Sequence, residues 1–380
     1  MPFAAAISEH PLATHATGEV IGSLLEALGP EPDLALIFVT GAHLGALDDI
    51  AAAVRTTVAP RTLLGVTAVS VMGGGREVEA QAAVSGWAAR VGPVEPVRIQ
   101  ARVGTDPGEF LGLPESAARP GSTLLLVADP ASFPLDPFLD GLARELPDLR
   151  VVGGVASAVM APGANRLALD DAVHTDGAIG ALLGPEWPVS TIVSQGCRPV
   201  GDPFTVTRAE RSMLYEIAGT PALDKLRQVV AGLSVDDRTL AARGLHVGRL
   251  IDEHQLDAGR GDFLIRNVRG GDPVTGAIAI GDEIEVGATV QFQVRDADSA
   301  DEDLRHLLAG SAADGALVFT CNGRGVRLFG EPDHDASLVA DVVGSAVAGM
   351  FCAGEVGPVG GRAFAHGFTA SIALFSDPSA

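Results

Sequence analysis

Lysine is almost absent from this chain: Lys225 is the single one, and the remaining cationic charge is arginine. Lys and Arg together number 26 against 48 Asp and Glu, a formal net charge of −22. So acidic a surface excludes the basic patch that nucleic acid requires and opposes docking on anionic lipid. Cysteines are as scarce. Cys197, Cys321 and Cys352 form an odd set without a CxxC pair, which excludes both a disulfide framework and a zinc site. Aromatic residues make up 4%, so the core has to be built from Val, Leu, Ile and Ala. No apolar run reaches the roughly 18 residues of a membrane-spanning helix. The richest, Ala340 to Ala353, is interrupted by Asp341, Gly344, Ser345 and Gly349. The N-terminus has no basic start, and Glu9 and His10 break its apolar residues, so no secretory signal is read. These absences together point to a cytoplasmic protein.

What is present is the composition of a globular domain: 47% hydrophobic and 19% charged, with 47 Gly and 24 Pro marking many tight turns. A length of 380 residues corresponds to two or three domains. One order of elements recurs three times. DLALIFVTGAH reads as a strand ending in turn residues, and the next stretch as a helix with Leu44, Leu47, Ile50, Ala51, Val54 and Val58 on one face. Pro60 stops it, and LLGVTAVSVM is a second strand before a turn and further strands. The order returns with STLLLVADPAS, a helix carrying Phe138, Leu139, Leu142 and Leu146, and VVGGVASAVM. It returns again with GALVFTCNGRG, HDASLVADVVGSAVAGM, FCAGEVGPVGG and FAHGFTASIALF.

Between the second and third copies the pattern alternates in period two with frequent turns, as antiparallel strands do. A helix beginning near Pro221 interrupts it, and a second helix is predicted from Ser299, with Glu302 three residues on as a capping box. The fold class is α+β: stacked mixed and antiparallel β-sheets flanked by helices, built from repeated strand–helix–strand–strand units. No charged or Ser/Gly-rich linker appears. The division expected is residues 1–200 and 201–380, as two interdependent lobes.

Gly73-Gly74-Gly75-Arg76 resembles a phosphate loop only superficially. It lacks the Rossmann and P-loop spacing and opens no helix, so it reads as a hairpin turn. Cys321-Asn322-Gly323-Arg324-Gly325 follows an apolar strand, as either a tight turn or a binding turn in which Arg324 offers a planar fork to an anion. Glu355, between runs that should be buried, has to be paired or protonated, with Arg324, Arg362 and His366 as partners. Asp333-His334-Asp335 reads as a helix cap and not a metal site, and His246 and His254 are too isolated to ligate. No metal or cofactor is expected.

These strings carry a family resemblance. NGRG and GEVGPVGG…HGFTAS resemble the closing half of the FIST domain. QGCRPVGDPFTVTRAE…PAL resembles its middle, and DLALIFVTGAH with LLGVTAVSVM its N-terminal half. The resemblance implies a sensory module for small ligands, amino acids and related carboxylates among them. FIST domains occur alone, joined to kinase, cyclase or chemotaxis output modules in bacteria, or joined to F-box proteins in eukaryotes. The length leaves no room for an output domain, so a separate output protein is the expected partner. The motif positions are Asn322, Arg324, Glu355, Arg362 and His366, and the site is expected where they meet Cys197 and Arg198. Arg324 or Arg362 would hold a carboxylate, Asn322 and Glu355 an amine, and His366 a tunable hydrogen bond. Two other readings stand beside this one. One is a cysteine-dependent hydrolase or transferase with Cys321 as nucleophile, His366 as base and Glu355 as orienter. The other is a non-catalytic scaffold.

Overall fold

The computed structural model describes residues 2–102, 109–255, 259 and 261–377. Contacts divide the chain into two compact units. The larger comprises Met1–Val193, Leu304–Ala365 and Thr369–Ala380, and the smaller Ser194–Asp303 with His366–Phe368. Among the described residues no helix is long and apolar enough to cross a membrane.

The larger unit contains three strand–helix–strand repeats. In the first, Leu34–Thr40 and Thr62–Ala68 are parallel in register, joined through the helix Leu47–Thr57. In the second, Thr123–Ala128 and Arg150–Val155 pair the same way around the helix Leu135–Glu145. In the third, Gly315–Cys321 and Val347–Cys352 do so around His334–Val343. The sequence explains each piece. The paired strands are buried along almost their whole length, as continuous apolar runs require. The helix Leu47–Thr57 buries Leu47, Ile50, Ala51 and Val54, with Asp48 and Asp49 in its first turn and Arg55 in its last, complementing its dipole.

Each repeat then makes a hairpin that leaves its own sheet. The first hairpin, Ser70–Gly73 with Arg76–Glu79, pairs with Val347–Cys352 of the third repeat. The second, Leu167–Leu169 with Ala172–His174, pairs with Thr62–Ala68 of the first. The third begins with Glu355–Val359, which pairs with Arg150–Val155 of the second, placing Glu355 opposite Gly154. A returning strand then rejoins the home sheet: Val84–Ala89, Ala178–Leu183 and Thr369–Phe375 in turn. The exchange is cyclic. It encloses one central core holding Phe38, Val66, Leu125, Val152, Phe319, Met350 and Phe375. Three separate outer cores lie under the helices. The Ser157 hydroxyl donates to the Phe351 carbonyl and accepts from the Val69 N–H at 3.0 Å, so one side chain ties all three repeats. Gly74 and Gly75, both at positive φ, form the first hairpin's turn.

The smaller unit is an antiparallel ladder. Thr289–Arg295 pairs with both Phe204–Glu210 and Leu245–Leu250, which closes the ladder on itself. The helices Ala222–Gly232 and Val235–Arg243 pack on its apolar core through Leu223, Leu226 and Leu240. Two local expectations are corrected. The helix predicted from Ser299 spans Ala297–Leu308, and the Ser299 hydroxyl bonds Asp296 at 2.5 Å instead of opening a capping box. Asp333 makes no side-chain cap bond to its helix.

The approach of the second and third repeats is close enough to require glycine. A Cβ at Gly154 would overlap the Cys352 thiol and come within 3.3 Å of Phe319. Gly154→Ala is therefore expected to destabilise by about 1–3 kcal/mol. In the Gly154→Ala/Cys352→Ala pair the combined loss should be smaller than the sum of the single losses, measured by urea unfolding.

Candidate functional site

The strand Gly315–Cys321 ends in the turn Cys321–Gly325, at the carboxyl end of the parallel pair where the third repeat crosses to its helix. Arg324 is fully buried. Its Nε donates to Asp335 Oδ2 at 2.7 Å and its Nη2 to Oδ1 at 2.8 Å, a bidentate pair with Asp335, itself 0% exposed. Thr320 Oγ1 donates to Oδ2 at 2.7 Å, and His334 Nδ1 lies 3.0 Å from Oδ1. The Phe329 ring stacks on His334 at 3.4 Å and lies 5.2 Å from the Arg324 guanidinium. Burial alone would raise the Asp335 carboxyl. The charge of Arg324 and the hydrogen bonds from Arg324, His334 and Thr320 overcome it and hold that carboxyl well below the usual range. Burial likewise disfavours the Arg324 cation, but Asp335, Cys321 and Glu355 hold it more firmly protonated than usual.

One donor is left over. Arg324 Nη1 is buried and has no hydrogen-bond partner. Cys321 and Glu355 lie near enough to act on the same guanidinium. The Gly323 N–H points to Cys321 Sγ at 3.4 Å. Asn322, on the same turn, is exposed. Glu355 is fully buried, and its Oε2 accepts from the Thr369 N–H at 3.1 Å and hydroxyl at 2.9 Å. Burial and the nearby Glu355 push the Cys352 thiol up, making it an inert neighbour.

The exchanged first hairpin supports the site from the other side. Glu77 Oε1 accepts the Ala336 N–H at 3.0 Å and so caps the helix that Asp333 leaves uncapped. Asp333 Oδ1 accepts the Glu77 N–H at 2.6 Å. Glu79 accepts the Val326 N–H at 2.8 Å, and a Cβ at Gly325 would meet that carboxylate at 2.5 Å. Burial, and then the charge of Asp335, push Glu77 up to about 8. Its Oε2 is buried without a partner.

Cys321, Asn322, Arg324 and Glu355 therefore belong to one neighbourhood of the larger unit. Arg362 lies elsewhere, at the hairpin tip. It is exposed, paired with Asp140 at 2.6 Å, and lines a groove of about 270 Å³ beside Leu139, Leu142 and Leu146. Arg198 is in the smaller unit, held by Asp237 at 2.5 Å and Asp296 at 2.8 Å. His366 is buried and groups with that unit. Asp335, Glu77 and Thr369 escaped the reading of the sequence. The Asp333-His334-Asp335 string was the available signal for Asp335, whereas Glu77 lies more than 250 residues away in the chain and carried none. Among the described residues no group of three His, Cys, Asp or Glu side chains is placed to hold a metal ion.

Comparison with known proteins places this repeated architecture in a family. The FIST N domain model matches residues 33–220 and the FIST C domain model residues 222–358. An uncharacterized protein of Mycobacterium tuberculosis is 43% identical over 379 residues, 98% of each chain. Another, of Mycobacterium bovis, is 41% identical over 375 residues, 97% of each. The chain belongs to the FIST family, whose domains are associated with sensory signal transduction. The boundary between the two models falls inside the smaller unit's ladder, so FIST N and FIST C each contribute strands to it.

The buried charges give two expectations. Asp335→Ala leaves Arg324 buried without its counter-charge and should cost about 3–5 kcal/mol, while the Arg324→Met/Asp335→Leu pair should cost less, both read by chemical denaturation. Glu77 has a folded pKa near 8, raised from 4.5, so it retains its proton in the folded protein across a range where the unfolded chain has lost it. The stability it contributes is complete below about pH 4.5 and is lost as pH rises through 8. The thermal midpoint of Glu77→Gln should accordingly fall less than that of the unmodified protein between pH 5 and pH 8.

Proposed function

We propose that this FIST protein senses a small zwitterion, an amino acid or a close relative, at the turn Cys321–Arg324. The observation that carries the reading is Arg324 Nη1, a buried guanidinium donor left unpaired beside the Glu355 carboxylate. A buried donor without an acceptor is costly, and a ligand carboxylate is a strong acceptor for the one cationic donor that Asp335 leaves unused. Asp335 already balances the Arg324 charge, and Glu355 lies close by. A bare anion would therefore meet a net negative site, whereas an amino acid brings an ammonium group for Glu355 and Asn322. The exposed Asn322 marks the side from which the ligand approaches. No bond is made or broken in this scheme. Binding favours the ligated conformation by its differential affinity, which is the signal a separate output protein would read.

Thermal-shift measurements with the standard amino acids and with matching carboxylates lacking the amine test the proposal. At least one amino acid should raise the midpoint more than its deaminated analogue. Glu355→Gln, which keeps an acceptor for Thr369, should remove that preference, and Arg324→Lys should weaken binding about tenfold or more. A shift indifferent to both substitutions, or none with any amino acid, counts against the site.

A further inference from the structure

His246 is an anomalous side chain in the smaller unit. Along the strand Leu245–Leu250, Val247 faces the apolar core while His246 and Leu250 face the opposite side. His246 is 5% exposed, and neither Nδ1 nor Nε2 meets a partner at good hydrogen-bond distance and angle. Asn267 and Gln293 lie in register with it on the two neighbouring strands. Burial first, and the charge of Arg295 second, lower His246 to about 4, against the hydrogen-bonding influence of the Asn267 side chain. The ring is thus neutral at pH 7, with one N–H and one bare nitrogen, and Asn267 is the polar side chain that acts on it.

What covers it is Phe368. The two rings lie 4.2 Å apart between centroids, and the Arg295 guanidinium carbon lies 4.9 Å from the same phenyl ring. Phe368 is only half-buried, and its φ is +67°, the left-handed region that a bulky non-glycine residue rarely adopts. Strained backbone of this kind persists where its surroundings over-determine it, and it gathers at ligand clamps and switches. Here a strained residue holds an aromatic ring over an unsatisfied imidazole beside a cation.

We propose that this face of the smaller unit is a second binding site, in which a small planar carboxylate replaces the Phe368 ring and is held by His246 and Arg295. The cation and the neutral N–H donor select an anion, and the space vacated by a phenyl ring selects a flat apolar body. Phe368 is then a plug whose displacement reports occupancy. The proposal uses residues other than those of the Arg324 turn and does not rest on that reading; the amino-acid screen can fail while this one succeeds.

Benzoate is the probe, with toluene as its uncharged counterpart, followed by ligand-observed NMR on the full chain. Benzoate should bind the unmodified protein and bind Phe368→Ala about tenfold more tightly, because the ring no longer has to be displaced. Toluene should not bind Phe368→Ala as tightly as benzoate does. His246→Phe should abolish benzoate binding in either background. Should that variant fail to fold, Arg295→Gln, which removes the charge and the guanidinium donors but keeps a polar side chain, should weaken it about tenfold or more. The proposal is overturned if benzoate binds neither the unmodified protein nor Phe368→Ala, if toluene matches benzoate in Phe368→Ala, or if benzoate binding survives the His246 and Arg295 substitutions.

Discussion

The larger unit depends on the cyclic exchange of hairpins among its three repeats. No repeat completes a sheet by itself: Thr62–Ala68, Arg150–Val155 and Val347–Cys352 would each be an open edge without the hairpin supplied by another repeat. Such an edge exposes a row of unpaired backbone groups. Closing the cycle satisfies all three edges together and buries the core that the sheets share. The three repeats are therefore bound to fold as one, which is why no linker separates them. Glycines are needed where strands of different repeats approach, as at Gly154 against Cys352.

The same exchange makes the polar site. Arg324 and Asp335 come from the third repeat together with Thr320, His334 and Glu355, and the exchange adds neighbours from the other two repeats. Glu77 and Glu79 arrive on the first hairpin, where Glu77 caps the helix His334–Val343 and Glu79 accepts the Val326 N–H. Glu355 is set against Gly154 of the second repeat. A buried ion pair is weak evidence for stability or function, because its desolvation offsets much of its attraction. What distinguishes this one is incomplete satisfaction: Arg324 Nη1 and Glu77 Oε2 are both buried without partners. In a low-dielectric interior a buried polar group without a partner is costly, so these two atoms are the least satisfied part of the network. His246 under Phe368 shows the same physics in the smaller unit.

The repeats were legible because apolar runs and helical spacing are local properties. The strands around Leu36, Leu125 and Val318 and the helix faces through Ile50 and Leu139 could be read directly from the chain. The hairpin at Gly74 and Gly75 was equally plain from its glycines. Partner choice was not legible. Alternation marks Glu77 as one position of a strand but does not say which sheet that strand joins. The cap of the helix His334–Val343 was assigned to its own Asp333, whereas a carboxylate from the first repeat performs it. Arg362 and Arg324 both followed glycines and both suited an anion. Only their placement, one exposed on Asp140 and one buried on Asp335, separates them.

The sequence alone determined the net charge of the chain, the threefold order of elements and the chemical types available to a site. Net charge, hydrophobic period and turn residues act over a few neighbouring positions, so they survive in one dimension. The tertiary structure decided which sheets the hairpins complete, which arginine is buried, and which polar atoms are left without partners. These are outcomes of pairing across hundreds of residues, where the energy of a contact depends on both partners and on the water they exclude. The single lysine and the −22 charge thus set the background. The fold chose Arg324 as the arginine buried against Asp335 with one donor left over.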